Sequence, residues 1–341
     1  MTIEGNEIVL SHAKLWPTAA ICVPTTAGGS AEGNSNMTFR EGSRMERGRV
    51  SVGGSGGGGR GGKLALGGGA GGLIIIVIAL LFGGDPGSIL NQISGGDSSA
   101  GQVDSGTSGT LECEVADANS SVDCRIGFTA SSLDTVWESQ LQAQTGVAYV
   151  QPPVREFSGS IDTGCGNATS AVGPFYCPAD STAYFDTSFF QVLVDQFGSS
   201  GGPLAQEYVV AHEIGHHIQN QLGDIGRAQS DPQGPESGGV RVELQADCYA
   251  GIWAHYASDT VDPDTGVAFL EPLTSTDIDD ALSAASSVGD DRIQQASTGR
   301  VNPEGWTHGS SAQRQKWFTA GYETGQVAAC DTFSARDLDN P

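Results

Sequence analysis

The chain has 341 residues, with 16 Lys+Arg against 40 Asp+Glu and a formal net charge of −24, a length that allows one large domain or two ordinary ones. Up to Gly84 there are seven basic and five acidic residues, and beyond it nine and 35, so the C-terminal part carries about −26. A surface of that sign repels nucleic acid and anionic lipid, which disfavours nucleic-acid binding.

Residues 1–63 show no periodic apolar pattern, and 53–62 are nearly all glycine, so this basic segment is expected to be disordered. Met37, which opens MTFREGSRMERGRV, is a candidate start within it. The stretch LALGGGAGGLIIIVIALLFGG (64–84) is uncharged and ends in an apolar run from Leu73 to Phe82; its length suffices for a transmembrane helix. A secretory signal has a similar apolar region, but no small-x-small cleavage pattern follows, so an uncleaved anchor is expected. Arg40, Arg44, Arg47, Arg49, Arg60 and Lys63 precede this segment. Positive flanks stay cytoplasmic, which predicts a cytoplasmic N-terminus and an extracytoplasmic C-terminal part. Residues 85–110, rich in Gly, Ser and Asp, read as a linker, leaving 111–341 for one folded domain.

Cys113, Cys124, Cys165, Cys177, Cys248 and Cys330 follow the apolar segment and only Cys22 precedes it. An even set on the oxidising side predicts three disulfides, with 15 connectivities open. The short loops 113–124 and 165–177 close easily, which leaves 248–330.

Within the domain a helix is expected around 131–144 and a strand at 147–150. Gly173, Pro174 and Pro178 punctuate 170–186, suggesting two short strands meeting in a hairpin. A helix at 188–197 is closed by Gly198. Pro203 and Gly223 bound the next, whose buried stripe runs Leu204, Tyr208, Ala211, Gly215, Ile218 and Leu222. A Gly- and Pro-rich loop (223–239) leads to a helix at 240–257, and further helices are expected at 276–288 and 310–325.

The helix bounded by Pro203 and Gly223 carries VVAHEIGHHIQNQLG. His212 and His216 are four apart and share one face, a spacing that brings two nitrogens within about 2 Å of one ion. Glu213 flanks that face and reaches the metal's water without ligating, the H-E-x-x-H arrangement. His217 is turned roughly 100° from His216 and is excluded as a ligand. A catalytic zinc needs a third protein ligand. The extended pattern would have glycine at 219 and histidine at 222, where this chain has Gln219 and Leu222. The helix 240–257 offers Glu243 and Asp247, four apart, with Ala250, Gly251 and Ala254 continuing the face and allowing close helix approach. Glu243 is therefore the expected third ligand, and Asp247 the acceptor for the far N–H of a ligand histidine. Zinc would polarise a water, Glu213 would take its proton, and a donor would hold the carbonyl oxygen. His255 and His308 are the remaining histidines, and His308, at a loop-to-helix junction, is the candidate donor. Substrate is expected along the strand edge near 173–186.

The set GPFYCPAD (173–180), AHEIGHHIQN (211–220), RVELQADCYAGIWAH (241–255), GDDRIQ (289–294) and THGSSAQRQKWF (307–318) resembles the putative neutral zinc metallopeptidase family, from about Met37 to Phe333. The resemblance implies bacterial membrane-anchored proteins with a basic Gly-rich N-terminus and one span. It further implies an α+β, mainly helical, gluzincin-like domain with a small sheet, zinc on His212, His216 and Glu243, and Glu213 as base. The expected function is a membrane-anchored extracytoplasmic zinc endopeptidase acting on proteins or peptides. The alternative is a non-catalytic envelope binding or assembly factor with the same fold, against which Glu213 argues, since a scaffold needs only the ligands. A closed structural zinc site normally has four Cys or His ligands, absent here.

Overall fold

A computed structural model describes residues 38–53 and 109–341. The apolar segment 64–84 and the expected linker up to residue 108 lie outside the described residues, as does Met37. Among the described residues no helix is long and apolar enough to cross a membrane.

A five-stranded mixed sheet forms one layer. Its strands are β1 (Val50–Val52), β2 (Gly109–Thr110), β3 (Val154–Phe157), β6 (Phe175–Cys177) and β7 (Thr182–Asp186), in the order β2-β1-β3-β7-β6. β4 (Ser160–Thr163) and β5 (Gly166–Thr169) make a separate antiparallel pair. The helices are α1 (Val115–Ala118), α2 (Val122–Thr145), α3 (Phe189–Asp195), α4 (Pro203–Leu222), α5 (Gly238–Ala257), α6 (Ser275–Ser287), α7 (Asp290–Thr298) and α8 (Ser311–Thr324). α4 packs against α2, α5 and α6, and α5 in turn against α8. The described part of the domain is thus α+β, about half helical, with a small mixed sheet.

Several elements form for the reasons their sequences suggest. Pro203 opens α4 and Gly223 closes it in the left-handed conformation at φ 84°. Ser310 caps α8 by accepting from the Gln313 N–H, while the Gln313 side chain reaches back. β6 and β7 pair as the expected hairpin, with Phe175 opposite Tyr184 and Cys177 opposite Thr182. The disulfides join Cys113–Cys124, Cys165–Cys177 and Cys248–Cys330.

Other expectations are corrected. α2 begins nine residues earlier than the expected 131, because it is buried on most sides and shows no amphipathic period. Its inward hydroxyls are satisfied locally: Thr129 donates to the Arg125 carbonyl (2.7 Å) and Ser131 to that of Gly127 (3.0 Å). Residues 147–150 form no strand. Two of their carbonyls are taken by side chains, Val150 by His217 and Ala148 by Gln221, and the strand forms beyond Pro153. β3, β4, β5 and α7 were not foreseen.

The largest correction concerns the N-terminal segment. Residues 38–53, placed within the disordered 1–63, are part of the fold: Phe39, Met45 and Val50 lie in the core. β1 pairs in parallel with β3, Val50 opposite Val154, and antiparallel with β2, Val52 opposite Gly109. The fold therefore includes β1, and β2 at Gly109–Thr110 precedes the expected start at Leu111. Strands from before and after 64–84 are hydrogen-bonded in one sheet.

Glu156 in β3 is buried with Asp123 beside it; burial first, then the Asp123 charge, pushes its pKa up to about 8. A carboxyl raised in the fold contributes stability that is present below its unfolded pKa and lost as pH rises through the folded value. Wild type is expected to lose thermal stability between about pH 5 and about pH 9, and Glu156→Gln to lose less. Thermal unfolding across that range checks this, and parallel pH profiles would contradict it.

Candidate metal centre

Two helices build the site. His212, Glu213 and His216 lie on α4, and Glu243 and Asp247 on α5. The helices approach at Gly215, where an added Cβ would sit 3.0 Å from the Ala246 carbonyl oxygen and 3.1 Å from its Cα. Glycine between the two histidines thus lets the α5 backbone come close enough for Glu243 to meet both imidazoles. The small residue Gly251, expected to serve the same contact, instead meets the α8 backbone: an added Cβ there would lie 2.0 Å from the Phe318 carbonyl oxygen. It packs α5 against α8, because the face that carries it has turned away from α4.

The structure brings His212, His216 and Glu243 together as a buried trio, one ligand atom from each lying within 4.8 Å of the others. His212 Nε2 is 3.2 Å from Glu243 Oε2, and His216 Nε2 is 3.6 Å from Glu243 Oε1. Donors held at zinc–ligand distances in a tetrahedron lie about 3.3 Å apart, so the trio fits such an ion. His216 Nε2 is also buried with no hydrogen-bond partner. An orphaned imidazole nitrogen facing a carboxylate is what a cation would satisfy.

The far side of each imidazole is held. His212 Nδ1 donates to Asp247 Oδ1 at 2.9 Å and His216 Nδ1 to Gln219 Oε1 at 2.8 Å, which turns both Nε2 atoms inward. Gln219, standing where the extended pattern has glycine, is itself fixed by donating to the Val242 carbonyl and to Gln245. Asp247 is fully buried and held by Arg314 at 2.8 and 2.9 Å, and the Tyr208 hydroxyl also donates to it. His217 makes both its ring bonds elsewhere, to the Tyr176 hydroxyl (3.0 Å) and the Val150 carbonyl (2.6 Å).

Glu213 is buried, with Oε2 unpartnered. Burial, opposed by the nearby His212 charge and by a Tyr176 backbone N–H, leaves its pKa raised to about 7. Burial alone would raise Glu243 too, but His308, His216 and His212 hold it well below the usual carboxylate range. Burial drives His216 down to about 4, whereas hydrogen bonds to Asp247 and Glu243 overcome burial at His212 and carry it up to about 9.

His212, Glu213, Glu243 and His308 line one cavity of about 90 Å³. His308 is brought there by Asp290 at the start of α7, whose Oδ2 accepts from the backbone N–H of Thr307, His308 and Gly309 at 2.7, 2.6 and 3.0 Å. His255 is elsewhere, bonded to the Tyr322 carbonyl. Sequence reasoning missed Arg314, Tyr208, Gln219 and Asp290. Arg314 stood in AQRQKWF as one more charge on a helix, and only its burial shows that it has an acid to meet. Of the strands near 173–186, β7 is interior, so β6 alone offers a sheet edge; Gly173 and Pro174, just before it, line the cavity.

The model of the putative neutral zinc metallopeptidase family matches residues 37–333. The chain belongs to this family. As a family member it is similar to Uncharacterized protein Rv2575 of Mycobacterium tuberculosis strain H37Rv, 59% identical over 262 residues, 76% of this chain and 86% of that one. It is also similar to Uncharacterized protein YpfJ of Escherichia coli K12, 43% identical over 209 residues, 60% of this chain and 68% of that one. No solved structure matches.

Gly215→Ala is expected to push α5 off α4 and weaken zinc binding by roughly tenfold or more, with a stability loss of about 1–3 kcal/mol. Competition with a chromogenic chelator checks it, and wild-type affinity would contradict the role of this contact.

Proposed function

We propose that the chain is a zinc-dependent endopeptidase that acts on proteins or peptides outside the cytoplasm. The observation that carries this reading is the unligated Glu213. Among the described residues three donors, not four, face one point, and beside them a buried carboxylate with a free oxygen looks into the same cavity. A structural site would close its fourth position with protein. The three disulfides support an oxidising compartment.

His212, His216 and Glu243 would hold zinc, which supplies Lewis acidity for a carbonyl and acidifies water. The remaining work belongs to the chain. Glu213, buried beside the trio with one oxygen free, accepts a proton from the attacking water and returns it to the leaving amine. His308, anchored through Asp290, donates toward the oxygen on which charge develops. A substrate strand lies along the β6 edge, and the cavity between Leu193, Val209, Ala284, Val288 and Ile293 receives one side chain. That lining is apolar, so an apolar side chain is favoured there over a charged one.

Glu213→Gln should keep zinc and lose at least about 100-fold in hydrolysis. Digestion of a peptide library beside metal analysis reads both, and a variant that cuts as fast as wild type would remove the assigned role. In the same library, cleavage should favour apolar over charged residues at one position next to the cut, and Ala284→Phe should shift that preference toward smaller apolar residues without releasing zinc. Equal use of charged residues there would contradict the cavity assignment.

A further inference from the structure

Residues 38–53 make contacts that a loosely attached arm does not. Phe39 is buried and packs on Phe128 with ring centroids 5.3 Å apart, and its backbone exchanges two hydrogen bonds with the Asn119 side chain. Met45 fills a slot on α2 that exists because residue 127 is glycine: a Cβ there would meet its sulfur at 2.1 Å. The Thr38 hydroxyl donates to Glu207, a buried acid on the helix that carries His212 and His216. Two basic residues of the expected cytoplasmic flank, Arg40 and Arg49, have side-chain partners. Arg49 is buried in a two-bond pair with Asp134 and also donates to the Pro152 carbonyl at 2.9 Å, and Arg40 pairs with Glu271 at 3.0 Å.

The chain leaves the sheet after β1 and rejoins it at β2, where Val52 and Gly109 are partners. Points this close must lie on one side of any bilayer. Separating them would strip Phe39, Met45 and Val50 from the core and leave Asp134 without its buried guanidinium, each a large cost.

We propose that residues 38–53 are the first part of the metal-bearing domain and share its compartment, so that the intervening segment makes no net crossing of a membrane. On this account the arginines at 40 and 49 serve folding, and the chain before the apolar segment is not a cytoplasmic anchor tail. The inference stands whether or not the site hydrolyses peptides.

The test uses the full chain in a Cys22→Ser background. Arg47→Cys and Glu323→Cys, made separately at exposed positions, are treated with a membrane-impermeant maleimide in intact spheroplasts and after lysis. The proposal expects both positions to behave alike, reacting in intact cells to the same fraction of the lysed value. One position open in intact cells while the other reacts only after lysis overturns it. A second measurement needs no membrane: Phe39→Ala in the purified full chain should lower the unfolding temperature by roughly 10 °C, or prevent folding. An unchanged unfolding temperature overturns the claim that this segment belongs to the domain.

Discussion

The structure depends on two helix backbones crossing at Gly215 and Ala246. The two histidines of one helix and the carboxylate of the other are each unremarkable on an acidic, helical protein. They become a cation site because the residue between the histidines has no side chain to hold the second helix away. A side chain of even one carbon at that point would move Glu243 outward by the few tenths of an ångström that separate a ligand from a bystander.

The surroundings serve that crossing. Each imidazole is gripped from behind, His212 by Asp247 and His216 by Gln219, so neither ring is free to turn its Nε2 away. Asp247 brings a charge into a dry place and is tolerated because Arg314 comes with it and Tyr208 adds a donor. Arg314 comes from α8, which reaches α5 through reciprocal glycines, Gly251 and Gly321, whose missing side chains admit each other's backbone. The Cys248–Cys330 disulfide ties the same face of α5 to the chain's end. Close helix packing and electrostatic matching are therefore one construction: the glycines allow the distances at which the buried charges are paired.

Much of this was legible before any coordinates. The spacing of His212 and His216, with Glu213 between, carries its chemistry in the helical repeat, and Glu243 and Asp247 repeat the logic on the next helix. The bounds of α4 could be read from Pro203 and Gly223 because start and stop signals act locally. The disulfide pairs followed from loop length. What could not be read depends on partners distant in the chain. α2 is buried on most sides and so lacks a period, Gln219 looked like a departure from a pattern when it is a support, and Gly251 was assigned to the wrong neighbour because a small residue does not say which helix it admits. Residues 38–53 misled most. Their arginines and glycines have the composition of a solvated tail, and their order comes from partners such as Asp134, Val154 and Glu207, more than 80 positions away.

The measurement that bears most directly on this account is the coordination of zinc in the purified chain, by metal analysis and X-ray absorption, for wild type and Glu243→Gln. One zinc per chain is expected, with two imidazole nitrogens and a carboxylate oxygen at about 2.0–2.2 Å, and a marked loss of affinity in the variant. Wild-type affinity and an unaltered absorption spectrum in Glu243→Gln would mean that the ion, if it binds, does not bridge these two helices.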